Sequence, residues 1–169
     1  FSFDVELNKK GAAPFEKCVN SVKIGEQVTN NYTAGRLDRE IWIIDIRDET
    51  EYKNGHLPNS INLMQDTKFE TWLGSNIKPD EEFYLAGSDE KDLKEMIERA
   101  AAIGYEQQIV EAFILRYNEI MQEQIDLNDF KEHTGNYTII DVRNKSEVEE
   151  KKIFENSMSM PLSELRERV

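Results

Sequence analysis

The run Ile41-Trp42-Ile43-Ile44 leads directly into Asp45-Ile46-Arg47. A continuous apolar stretch of this length predicts a strand buried on both faces, as in a parallel sheet. Asp48-Glu49-Thr50-Glu51 then predicts a short acidic helix, capped by Asp48 or Thr50 and ended at Asn54-Gly55. Ser60 to Leu63 reads as a second strand. Lys68 to Leu73 reads as a helix with Phe69, Trp72 and Leu73 on one face, and Phe83 to Ala86 as a strand closed by Gly87. The clearest helix comes after Ser88-Asp89. Leu93, Met96, Ile97, Ala100 and Ala101 fall at helical spacing, and Gly104 stops the run. Gln108-Ile109-Val110 predicts a further strand, and residues 112–123 a connecting helix. Strands alternating with helices define an α/β chain with a mainly parallel sheet.

The opening pattern returns. Ile139-Ile140-Asp141-Val142-Arg143 repeats Ile43-Ile44-Asp45-Ile46-Arg47 at an offset of 96 residues, and Glu147 falls against Glu51. After one inserted residue, Asn156-Ser157-Met158-Ser159-Met160 lies against Asn59-Ser60-Ile61-Asn62-Leu63. A repeat on this scale predicts two copies of one fold. The expected organisation is a tail over residues 1–20, a first domain over 21–123 and part of a second over 124–169. The alternating Phe1, Phe3, Val5 and Leu7 suggest a strand or a docked segment, before the polar breaker Asn8-Lys9-Lys10-Gly11. The start reads as an internal cut from a longer polypeptide. The 45 residues after Gln124 are too few to bury a core unaided.

Charge narrows the partners. A formal net charge of −13 argues against nucleic acid and anionic membranes, because phosphate recognition needs clustered Lys and Arg. No apolar run approaches the roughly 20 residues of a membrane-spanning helix. One cysteine, Cys18, excludes an intrachain disulfide and suits a reducing, cytoplasmic compartment. His56 and His133 are too far apart to form a recognisable zinc site with it.

Ile44-Asp45-Ile46-Arg47, Glu51-Tyr52, Gly55-His56-Leu57-Pro58 and Gly104-Tyr105 together resemble the rhodanese (sulfurtransferase) family. The resemblance implies a rhodanese-like parallel sheet flanked by helices, then part of a second such module. Thr71-Trp72-Leu73-Gly74 and the tandem arrangement resemble bacterial proteins in which a metallo-β-lactamase-fold persulfide dioxygenase domain precedes a degenerate and then an active rhodanese. That likeness implies a parent protein for sulfide or persulfide detoxification. Its Fe or Zn would sit in an upstream domain, with no cofactor in this segment. Its substrate would be a low-molecular-weight persulfide or thiosulfate. The neighbouring domains of the same polypeptide, or further copies in an oligomer, would be its partners.

A rhodanese needs a cysteine in a loop between a strand end and a helix N-terminus, where inward N–H groups and the helix dipole stabilise the thiolate and its persulfide. Here the matching loop is Leu85-Ala86-Gly87-Ser88-Asp89-Glu90-Lys91, and Leu85 stands at the cysteine's place. Asp89 and Glu90 oppose an incoming anion. The first module is therefore expected to be a pseudo-rhodanese, and its loop an ordinary capped helix start. Ser88 is a weak binding candidate. As a nucleophile it would need a base such as His56, which the resemblance assigns to a structural turn. Arg47 is the cation chosen for any residual anion site, although Asp45 and Arg47 are read mainly as a structural pair, as are Asp141 and Arg143. Glu51, Gly55 and His56 complete the structural motif. In the second copy Lys151-Lys152-Ile153-Phe154 replaces Gly55-His56-Leu57-Pro58, which leaves its turn open. The acidic run from Glu147 is expected on a solvated helix face, and Trp42 and Trp72 in core or interface. Two readings compete: a non-catalytic scaffold, or a fragment of an active sulfurtransferase with Cys18 as its persulfide carrier.

Overall fold

The computed structural model describes residues 19, 21–121, 125–161 and 164. The chain forms two compact units that part between residues 122 and 123. In the first, α1 (Asn31–Ala34), β1 (Trp42–Asp45), α2 (Glu49–Asn54), β2 (Ser60–Asn62), α3 (Phe69–Asn76), β3 (Phe83–Gly87), α4 (Glu90–Ala102) and β4 (Ile109–Ile114) occur in that order. The sheet order is β2-β1-β3-β4, and all three ladders are parallel. Ile24 and Val28 add isolated parallel bridges to Ala112 and Leu115, beside the β4 edge.

Strand alternation sends neighbouring residues to opposite faces. Ile44, Ile46, Phe83 and Leu85 pack with Phe69, Leu73 and the buried side of α4. Ile43, Tyr84 and Ala86 pack on the other face with Val28, Ala34, Leu37, Phe113 and Leu115. All five periodic residues of α4 are buried, and Asp89 caps it by accepting from the Asp92 N–H at 2.9 Å. Asp48 caps α2 in the same way, from the Glu51 N–H at 2.8 Å. Trp42 packs partly buried against the core, whereas Trp72 is 38 % exposed at the margin of α3.

One element differs from the sequence expectation. Residues 112–123 do not begin a connecting helix, because Ala112, Phe113 and Ile114 continue β4 and Leu115 bridges to Val28. Ala112, Phe113 and Leu115 are all buried, and a strand covered on both faces has the same dense apolar composition as a buried helix. Beyond it Ile120 pairs with His56. Residues 1–18, with the alternating Phe1 to Leu7 stretch and Cys18, lie outside the described residues. Val19 packs partly buried against the core.

The second unit contains α5 (Leu127–Glu132), a single 3₁₀ turn (Thr134–Asn136), β5 (Ile140–Asp141), α6 (Lys145–Glu150) and β6 (Met158–Ser159). β5 and β6 form a two-stranded parallel sheet. Ile140 pairs with Met158 as Ile44 pairs with Ile61, so the one-residue insertion is absorbed between the strands. The repeat reaches further back than the sequence alone suggests. Asn30 caps α1 and Asp126, 96 residues on, caps α5, each accepting from the N–H groups two and three residues ahead. Phe130 meets both Tyr137 and Phe154 edge-on in this unit. Glu147, Glu149 and Glu150 lie on the exposed surface of α6.

Candidate functional site

Parallel sheets bind ligands beyond the carboxyl ends of their strands, where the loops after adjacent strands diverge. Such a cleft, of about 370 Å³, opens here past β1 and β3. Its walls come from the segment after β1 (Ile46, Arg47, Asp48, Glu51), the segment after β2 (Met64, Gln65, Asp66) and the start of α4 (Ser88, Asp92).

The segment after β1 is fixed by a buried ion pair. The Arg47 guanidinium donates from Nε to Asp45 Oδ1 at 2.9 Å and from Nη2 to Oδ2 at 2.6 Å, and the Arg47 N–H reaches Oδ1 at 3.1 Å. Nη2 also donates to the Gly55 carbonyl at 2.9 Å, so the arginine ties the strand end to the turn after α2. Asn62 donates to the carbonyls of Asp45 and Arg47 at 3.0 and 2.8 Å, which joins β2 to the same corner. Asp45 is fully buried, and the bidentate fork is what makes an unscreened carboxylate tolerable there. Arg47 does line the cleft, but its side chain is only 5 % exposed and two of its nitrogens are engaged with Asp45 and Gly55. Arg47 thus stands in the cleft wall as the partner of Asp45, with its Nε and Nη2 engaged.

Leu85 lies in the middle of β3, paired with Ile44 on one side and Ala112 on the other, and is fully buried. The strand runs two residues past it, to Gly87. A side chain added at Gly87 would press on Ile46 and Leu93, so the strand end fits tightly against the core. Ser88 is the first residue of this segment in the cleft, and its hydroxyl donates to both Glu51 oxygens at 2.9 Å. His56 is not part of this arrangement. Its ring stacks on Tyr52 at 4.1 Å and its Nδ1 sits 3.0 Å from the Tyr52 carbonyl, while its backbone pairs with Ile120. Tyr52 donates to the Ser60 carbonyl, and burial pushes its phenol up. Ser88 and His56 are therefore each bound elsewhere and do not form a nucleophile–base pair.

The cleft walls carry Asp48, Glu51, Asp66 and Asp92 against a single arginine that is already paired. The sequence reading named Glu51 and Ser88 separately. It missed Met64, Gln65, Asp66 and Asp92, which only the fold assembles from loops far apart in the chain. Among the described residues no group of three or more His, Cys, Asp or Glu is placed to hold a metal ion. Among them, too, no helix is long and apolar enough to cross a membrane.

The second unit rebuilds the Asp-x-Arg corner in detail. Arg143 donates to Asp141 at 2.9 and 2.7 Å and, through Nη2, to the Lys151 carbonyl at 3.0 Å, as Arg47 does to Gly55. That hydrogen bonding holds the Asp141 carboxyl below its usual range and the Arg143 guanidinium above its own. Lys151 replaces the glycine with ordinary extended backbone. In the first unit a side chain at Gly55 would collide with Asn118, which explains the glycine there.

The rhodanese-like domain family matches residues 26–112. With its parallel sheet and flanking helices, the chain belongs to that family. A solved structure, the Alr3790 protein from Anabaena sp., aligns at 16 % identity over 55 % of this chain and 85 % of its own, with a TM-score of 0.36. No curated protein matches.

Proposed function

We propose that this chain is a non-catalytic rhodanese-homology segment that acts as a scaffold within a larger sulfide- or persulfide-handling protein. The observation that supports it is the turn from β3 into α4, where Gly87, Ser88 and Asp89 offer no thiol, while Leu85, named from the sequence for that place, is buried inside the strand two residues earlier. The surroundings argue the same way. A thiosulfate or persulfide anion entering the cleft would meet four carboxylates and a guanidinium already neutralised by Asp45. The neighbouring domains proposed for the parent are a metal-dependent persulfide dioxygenase, with Fe or Zn, and a terminal sulfurtransferase.

The test is intact mass after incubation with a low-molecular-weight persulfide, run on the chain and on Cys18→Ser, beside a thiosulfate-to-cyanide transfer assay. The expected result is no thiol-dependent gain of sulfur and no thiocyanate. A gain of one sulfur that disappears in Cys18→Ser would replace the scaffold by a persulfide carrier.

A further inference from the structure

The segment that leaves β4 stays with the sheet as far as Tyr117. Leu115 donates its N–H to the Gly87 carbonyl and Arg116 to the Val28 carbonyl, at 2.9 and 2.8 Å. Tyr117 packs partly buried on the core and donates its hydroxyl to Asn31. Beyond it the backbone turns onto Gly55 and His56. His56 donates its N–H to the Ile120 carbonyl at 2.8 Å, and its own carbonyl accepts from Glu119 and Ile120 at 3.1 and 2.9 Å. Turned so that its nitrogen faces inward, the Asn118 amide donates to the Gly55 carbonyl at 2.7 Å. The same carbonyl accepts from Arg47 Nη2, so Asn118 sits against the Asp45–Arg47 corner. A carbon added at Gly55 would fall 2.3 Å from Asn118 Cβ, and the glycine is what leaves room for the contact. The two sides of this contact are built differently. His56 and Leu57 are buried, and the His56 ring is held by its stack on Tyr52. Asn118, Glu119, Ile120 and Met121 are all exposed, Met121 by 73 %. Glu119 pairs with Arg39 at 3.3 Å, but that arginine is 70 % exposed and such a pair adds little. A segment with few buried contacts and a handful of surface hydrogen bonds opens locally, at far lower cost than the core.

We propose that residues 118–121 are a strap that lifts off Gly55 and His56 as one piece while the sheet stays folded. Its hinge is at Tyr117, where packing on the core ends. The four hydrogen bonds that close it end on two adjacent residues, so they form and break together. Closed, the strap fixes the chain at Ile120, just before the boundary between the two units. Open, the last fixed residue is Tyr117, and residues 118–121 join the connection to whatever follows. Extended, those residues lengthen its reach by about 13 Å. The strap therefore switches the first unit between a short and a long tether, with the Gly55–His56 turn as the catch. This device is independent of the sulfur chemistry proposed above.

The test is hydrogen exchange on the isotope-labelled 169-residue chain, read amide by amide, with Asn118→Ala beside it. Corrected for intrinsic rates, the His56 and Ile120 amides should exchange at one common rate. That rate should be roughly tenfold or more above those of Ile46 and Leu115, whose N–H groups are bonded to Ala86 and Gly87. Asn118→Ala should speed the first two about fivefold, as the loss of one hydrogen bond does. It should leave Ile46, Leu115 and the tryptophan unfolding midpoint unchanged. A protease that cuts before large apolar residues should cleave the native chain between Glu119 and Ile120, about fivefold faster in the variant, because cleavage follows the open population. Exchange of His56 and Ile120 as slow as that of Leu115 would overturn the proposal, since the segment would then open only with the core. Unequal rates at the two amides would also overturn it, as would an Asn118→Ala effect that spreads equally to Leu115 and the unfolding midpoint.

Discussion

Replacing Arg47 by Met, which keeps the length of the side chain and removes the guanidinium, tests how the first unit is held together. Asp45 is fully buried and its carboxylate is satisfied almost entirely by Arg47, through two side-chain contacts under 3.0 Å and one backbone N–H. Removing the fork leaves an uncompensated buried charge, which costs about 3–5 kcal/mol, and the Gly55 carbonyl loses its donor as well. A domain of this size is stable by only about 5–15 kcal/mol, so the loss is a large part of the total. With a urea dependence of about 1–3 kcal/mol per molar, the unfolding midpoint should fall by one to a few molar units, roughly. Trp42 and Trp72 both belong to the first unit and report its unfolding by fluorescence. Two controls sharpen the test. Adding Asp45→Asn to Arg47→Met removes the stranded charge and should recover part of the loss, a sign that no simple packing defect would give. Arg143→Met changes the matching corner of the other unit and should leave the tryptophan transition where it is. A loss below about 1 kcal/mol in Arg47→Met would refute the assignment of this pair as the fastening of the β1 corner, since that is the range of an exposed ion pair.

Other consequences can be measured as directly. Leu85→Ala should destabilise the first unit by about 2–5 kcal/mol in the same urea assay, as a fully buried leucine does when truncated. Leu85→Cys should form no thiocyanate from thiosulfate and cyanide, because the new thiol would sit inside the sheet beside an acidic cleft; turnover would show that the loop keeps a usable anion site. Glu70 receives hydrogen bonds from Arg99 at 2.6 and 2.7 Å, and these, with the nearby charge, hold its carboxyl at about 2 against an ordinary 4.5. A depressed carboxylate contributes stability above its unfolded value and loses it as pH falls through its folded value. The thermal midpoints of the chain and of Glu70→Gln should therefore differ above pH 4.5 and converge towards pH 2, by an amount worth about 1 kcal/mol once solvent screening of this partly exposed pair is allowed for. Gly55→Ala should destabilise the first unit, because the added carbon collides with Asn118.

Much of this protein was legible before any coordinates. The strands about Ile43 and Tyr84 and the buried face of α4 come directly from periodicity, because local sequence alone decides which positions share a face. The repeat, and the lack of a cysteine between Leu85 and Lys91, are also properties of the letters. The boundaries that failed are those where local pattern is ambiguous: Ala112 to Leu115 are apolar enough for a buried helix, and only the pairing of β4 with β3 and the bridge to Val28 makes them extended. Nor could the letters bring Ser88 to Glu51, 37 residues away, or tie Arg47 to the Gly55 carbonyl. Those are contacts between segments that meet only when the sheet assembles. The same distinction separates the two copies of the Asp-x-Arg motif. Their sequences predict one corner and both units build it, but whether Ile44 or Ile140 is buried depends on a neighbouring strand and helix, which local sequence does not supply.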